Sequence, residues 1–192
     1  MKIEGGYYYP PFSIIFLQNM NDFNQSDSVN ITVMGLGNIL LADEGFGVHF
    51  IRWFEERYRL PDDVRLVDGG TLGFGLLDIV TSTKHLIIID VLKADDDPGS
   101  IYRFTRREME LNMPEPTSAH EVEFVDVLIQ AEIMDRCPEV VFLCIVPKEY
   151  GGDMELEMTP LMREKFPKTE ELLLKELSNL KVIPESVKTD DA

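Results

Sequence analysis

Four residues of this 192-residue chain pair a reactive side chain with a place suited to chemistry. Asp43 and Glu44 stand side by side between an apolar run and an amphipathic segment. Asp90 closes the run Leu86-Ile87-Ile88-Ile89, and His120 opens a segment of helical character. One imidazole and two carboxylates (His120, Glu44 and Asp90) can ligate a divalent first-row metal and leave coordination positions open. Such a site is weak, with one nitrogen and no thiolate where permanent zinc sites use more. Asp43 adds a carboxylate able to act as a general base. Each of the four also has a plain structural use. Glu44 complements a helix dipole, worth about 0.3–1 kcal/mol. Asp43 suits an N-cap, Asp90 a turn cap, and His120 an exposed helix start. His49, off the apolar stripe of its helix, and His85, ahead of a strand, read as structural.

The elements that must position these groups alternate in type. Short apolar runs at Ile31–Met34, Val64–Val67, His85–Asp90 and Val140–Val146 predict strands, and the unbroken apolar run before Asp90 predicts burial on both faces, as in a parallel sheet. Between them, Phe46, Phe50, Phe54 and Tyr58 recur every four residues and predict a helix over Gly45–Tyr58. Further helices are predicted over Leu72–Ser82, Glu121–Asp135 (with Ser118 and Glu121 as a capping box) and about Pro160–Leu180. Ser100–Thr105 alternates and suits an edge strand. The predicted fold is α/β: a three-layer sandwich, with a mainly parallel, twisted sheet of about five strands and helices on both faces. In such sheets ligands bind beyond the carboxyl ends of the strands, where Asp43, Glu44 and Asp90 fall. Residues 30–182 read as a single domain. Residues 1–29 read as a flexible extension, or as an over-long start with Met20 the true beginning, and 183–192 as a loose tail.

Composition removes several functions. Eighteen Lys and Arg against 35 Asp and Glu give a net charge of −17, which disfavours nucleic acid and anionic membrane surfaces. No run reaches the ~20 apolar residues that span a bilayer. The two cysteines, Cys137 and Cys144, build no disulfide framework and suit a reducing cytoplasm. Gly35-Leu36-Gly37 begins a dinucleotide fingerprint, but position 40 is Leu where the third small residue belongs. No P-loop, Gly-x-Ser-x-Gly elbow or aspartic-protease signature occurs. His120-Glu121-Val122-Glu123-Phe124 fails the zinc-peptidase pattern at its fifth position. Residues 107–157 hold 13 acidic and 3 basic side chains, a face suited to a basic partner.

The segment Gly35-Leu-Gly-Asn38-Ile-Leu-Leu-Ala-Asp43-Glu44-Gly45-Phe-Gly47 resembles the opening motif of the nickel–iron hydrogenase maturation endopeptidases. Asp68-Gly69-Gly70-Thr71, Leu86–Asp90, the Pro98-Gly99 turn and Ser118-Ala-His120 with Val125-Asp126-Val-Leu128 are similar to its later landmarks, in the same order. The resemblance runs from about residue 31 to 180. It implies an endopeptidase that removes the C-terminal extension of the hydrogenase large-subunit precursor after nickel insertion. By position, Glu44, Asp90 and His120 become the residues that contact nickel, the triad already singled out on physical grounds. Nickel is then carried by the substrate, held weakly by the enzyme alone, and serves as a recognition element. The implied enzyme is cytoplasmic and monomeric when free. The alternative is a non-catalytic, metal-sensing scaffold that holds the precursor without cutting it. Cys144-Ile145-Val146-Pro147 departs from the family pattern, in which glycine stands at the first position.

Overall fold

In a computed structural model of the chain, residues 30–112, 119–152 and 154–187 are described, with the side chains of 110–122 outside that set. The expected extension over 1–29 and the Ser118 cap lie outside the described residues. The strands β1 (Ile31–Leu36), β3 (Val64–Gly70), β4 (His85–Val91), β5 (Ile101–Thr105) and β6 (Glu139–Ile145) form one sheet in the order β3-β1-β4-β6-β5. All neighbours are parallel except β5, which runs antiparallel to β6 at the edge. This is the predicted mainly parallel five-stranded sheet.

Alternation along β4 sends Ile87 and Ile89 into one core, and Leu86 and Ile88 into the other. On the first face pack α1 (Phe46–Glu55) and the later helices α5 (Pro160–Arg163) and α6 (Phe166–Asn179). Phe46, Phe50 and Phe54 are fully buried there, with the Phe166 ring 5.3 Å from Phe46. On the second face lie α2 (Leu77–Thr81) and α4 (Ala119–Ile133), which bring Val80, Phe124, Val127, Leu128 and Ala131 onto the sheet. Helices on both faces complete the three layers.

Some boundaries differ from the pattern. The first helix stops at Glu55, and Tyr58 belongs to β2 (Tyr58–Arg59), while its ring still stacks 4.6 Å from Phe54. The segment Leu72–Ser82 is a 3-10 turn over Gly73–Leu76 followed by the short α2. The long final helix is two, because Pro167 lacks the amide that continuity needs and sits instead in the first turn of α6. A helix absent from the sequence reading, α3 (Arg106–Asn112), follows β5 directly. The tail is anchored as far as Val187: β7 (Glu185–Ser186) pairs antiparallel with β2, and Val187 N–H donates to Arg57 C=O at 2.7 Å.

Two glycines set how closely α1 approaches the sheet. A Cβ on Gly47 would lie 2.1 Å from the carbonyl oxygen of Ile89, and one on Gly35 2.2 Å from that of Gly47. These glycines let the helix start lie against β1 and β4. The partial dinucleotide pattern therefore has a packing explanation.

Candidate functional site

Chain order fixes where the site can be. β1 lies between β3 and β4; its own connection runs through α1 on the first face, whereas those after β3 and β4 run through α2 and α4 on the second, and this divergence opens a crevice beyond the carboxyl end of β1. The loop after β1 crosses this crevice and coils into a 3-10 turn, Ala42–Gly45, that runs straight into α1. Ala42 adopts a left-handed φ of 41° to make that turn. The result buries both acids: Asp43 has no exposure and Glu44 4%. Asp90, 6% exposed, ends β4 next door, with its Oδ1 accepting from Val91 N–H at 2.7 Å.

Adjacent in sequence, Asp43 and Glu44 are used differently. Asp43 Oδ2 accepts from the amides of Lys148 (3.1 Å) and Glu149 (3.0 Å) and from the Thr159 hydroxyl (3.0 Å). Its Oδ1 accepts from Thr159 N–H at 2.8 Å. Four donors make this carboxylate the anchor of the segment that follows β6. The N-cap reading is thus corrected: no side chain caps either the 3-10 turn or α1, and Asp43 reaches across the rim. Glu44 receives one bond, from Gly151 N–H to Oε1 at 2.8 Å, and its Oε2 accepts none among the described residues. One oxygen is held and one is available.

His120 is the second residue of α4. Its side chain lies outside the described residues, but its helix is informative. α4 runs into β6, which begins at the amino edge of the sheet, so the start of α4 lies at the carboxyl rim. Phe124 and Val125, one turn further on, share with Asp90 the wall of a small cavity of about 40 Å³. Gly73, in the turn after β3, abuts Glu123 of the same helix start. The fold thus brings Glu44, Asp90 and the backbone of His120 to one rim. No group of three metal-ligating side chains is gathered among the described residues.

Sequence reasoning missed the partners of the two acids. The segment from Lys148 to Thr159 reads as an acidic glycine-rich loop, yet its amides and Thr159 hold both carboxylates. Gly151-Gly152 marked exposed backbone, and Thr159-Pro160 a helix start, but neither named Asp43 as the partner. His49, one turn into α1, has a buried Nε2 with no hydrogen-bond partner among the described residues. Its pKa is held below the ordinary histidine value, first by burial, then by the charges of Arg52 and Arg163, partly offset by Asp68. The neutral ring lies over the start of the helix: a Cβ on Gly45 would come 3.2 Å from Nε2. His85 is structural as expected, its Nδ1 3.2 Å from a Glu139 carboxylate oxygen. Cys144 is buried in β6 in register with Asp90.

Comparison with known proteins bears on this rim. A family model described as hydrogenase maturation protease matches residues 48–176, a span that takes in Asp90 and His120 and begins just after Glu44. The hydrogenase 2 maturation protease of Escherichia coli (strain K12) is 31% identical over 160 residues, 81% of this chain and 96% of its own. The hydrogenase expression/formation protein HupD of Bradyrhizobium diazoefficiens is 33% identical over 146 residues, 73% of this chain and 74% of its own. HoxM of Azotobacter vinelandii is 38% identical over 130 residues, 65% of this chain and 63% of its own. Among solved structures, the hydrogenase maturating endopeptidase HybD from E. coli superposes with a TM-score of 0.76 at 29% identity, covering 85% of this chain and 99% of that one. A family model over most of the chain, a maturation protease 31% identical across nearly its whole length and a shared fold converge on one answer: this chain is a peptidase and belongs to the hydrogenase maturation protease family.

Proposed function

We propose that the chain removes the C-terminal extension of the nickel–iron hydrogenase large-subunit precursor after nickel insertion, in the cytoplasm and as a monomer when free. The observation that carries this reading is the unequal use of the rim acids: Glu44 keeps a carboxylate oxygen that no described residue engages at the switch point beside Asp90. In this reading Glu44, Asp90 and His120 add ligands to nickel already bound by the substrate. The set is weak by design, since a protease that held nickel tightly could not distinguish loaded from empty precursor. Substrate-borne nickel supplies the Lewis acidity, by polarising the scissile carbonyl or by activating water. Asp43, with four donors on its two oxygens, serves as a positioning residue: it holds the segment whose Gly151 amide fixes Glu44. Nucleophilic cysteine chemistry has no support, since Cys144 is buried within the sheet and Cys137 lies at its opposite end.

The test is to incubate the purified chain with nickel-loaded and nickel-free precursor and measure intact mass. Loss of a C-terminal fragment confined to the loaded sample is the expected result. Equal cleavage of both samples removes nickel from recognition. Tight binding without cleavage in either converts the protein to a scaffold.

A further inference from the structure

The segment that fixes the two acids also forms an isolated bridge outside the named strands, and the outer side of that bridge is unpaired among the described residues. Glu155 forms a parallel bridge with Leu41: its N–H donates to Leu40 C=O at 3.0 Å, and its C=O accepts from Ala42 N–H at 2.6 Å. In an extended chain, successive residues direct their backbone groups to opposite sides. Because Glu155 faces inward, Met154 and Leu156 turn their N–H and C=O groups outward. Neither makes a hydrogen bond with any described residue. Both side chains are open to solvent, Met154 at 72% and Leu156 at 61%. Folded proteins ordinarily cover or blunt such an edge, because it offers a template for another strand. Here no described residue pairs with it, and it lies, with two exposed apolar side chains, in the loop whose groups bond Asp43 and Glu44.

We infer that the Met154–Leu156 edge is a docking strand, to which the C-terminal region of the precursor adds in extended form as a neighbouring strand. The inference rests on the proposed function and identifies how that site holds its peptide. Three features favour this occupant. A peptide bond presented for cleavage is extended, and main-chain pairing holds extended chain with little regard for sequence. The edge is close to the site along the chain, since only two residues separate Met154 from Gly151, whose amide holds Glu44. The exposed carboxylates of Glu149, Glu155 and Glu157 outnumber Lys148 and suit a segment with basic side chains. Main-chain pairing at Met154 and Leu156 supplies affinity, and their apolar side chains select alternate side chains of the peptide.

Hydrogen–deuterium exchange on the full chain, with and without nickel-loaded precursor, tests this directly. The expected result is at least about tenfold slower exchange of the Met154 and Leu156 amides in the complex. In processing assays Leu156→Pro, which deletes the outward N–H, raises KM about tenfold with kcat little changed, while Leu156→Ala stays within about threefold. Cleavage by the wild-type chain with both amides exchanging as in the free protein overturns the docking strand and leaves the protease reading intact. A wild-type KM in a folded Leu156→Pro variant overturns it too. Protection of the two amides without cleavage overturns the protease reading and supports the docking strand. Where Leu156→Pro lowers the melting temperature, exchange in the wild-type chain decides.

Discussion

At the amino ends of the parallel strands a cleft of about 770 Å³ gathers His85, Arg103, Arg106, Glu132, Glu139 and Glu176. At the carboxyl ends the cavity beside Asp90 measures about 40 Å³. By size alone the first end looks like the site. Most of these charged groups are nevertheless paired with each other. Arg103 grips Glu176 with two bonds of 3.0 and 3.1 Å, Arg106 meets Glu132 at 2.6 Å, and His85 meets Glu139. The carboxyl rim carries Glu44 and Asp90, nearly buried, with an oxygen of Glu44 that no described residue engages. A peptidase whose substrate is another protein needs an accessible rim that a chain can lie across, and a deep cavity gives it no advantage. Unsatisfied bonding capacity at a fixed position is a better guide to reactivity than volume.

Substitutions at the two ends separate these roles. Glu44→Gln and His120→Ala lower the processing rate by at least about a hundredfold, the scale on which loss of a metal ligand or acid–base group shows, with the melting temperature little changed. Full activity in either variant removes that residue from the site. Asp43→Ala strips acceptors from three buried or half-buried amides and a hydroxyl, so it costs roughly 3 kcal/mol in urea denaturation and lowers processing as the Gly151 segment loosens. An unchanged denaturation midpoint would show that the tether contributes nothing. At the other end, Arg103→Ala leaves Glu176, 9% exposed, without its guanidinium, a loss of roughly 2 kcal/mol with processing of precursor unaffected. Reduced processing in that variant, at full stability, would move function toward the cleft.

The smallest effect comes from His49. Its folded pKa lies below that of the unfolded chain, so the unfolded state takes up a proton first as pH falls through about 6.5. Stability is unaffected above that pH and declines below it until the folded ring itself is protonated. Between pH 7 and 5 the wild-type chain therefore loses more stability than His49→Gln, measured as the shift of the urea midpoint. Parallel midpoints would show that the buried ring titrates normally.

What the sequence discloses of this architecture follows how local each signal is. The Leu86–Asp90 run discloses a doubly buried strand, and the Phe46, Phe50, Phe54 stripe a helix, because both are periodicities that one element carries alone. The position of Asp90 and Glu44 at strand ends was legible for the same reason. The α3 helix had a signal that went unread: Thr105 and Glu108 form a capping box, with the Thr105 amide and hydroxyl donating to one Glu108 oxygen at 2.8 and 2.9 Å. That contact also holds the Glu108 pKa below the ordinary carboxylate value. The pairing of β2 with β7 was invisible, since two residues are too few to show alternation. The division of labour between Asp43 and Glu44 was invisible for a deeper reason. Their partners stand more than a hundred positions downstream, and nothing local to either residue distinguishes an anchor from a reactive group.

That separation bears on how the enzyme comes into being. The bonds from Lys148, Glu149 and Thr159 to Asp43 close loops of 105, 106 and 116 residues. Contacts so distant in sequence bring their reward only after the chain between them has been ordered, so they form late. A ribosome-bound chain can assemble β1, α1 and β4 while its acids still face water, and it has no finished rim until Thr159 has emerged. Proteolytic competence is thereby tied to completion of the fold, and a truncated or half-folded chain carries the acids without the geometry that arms them.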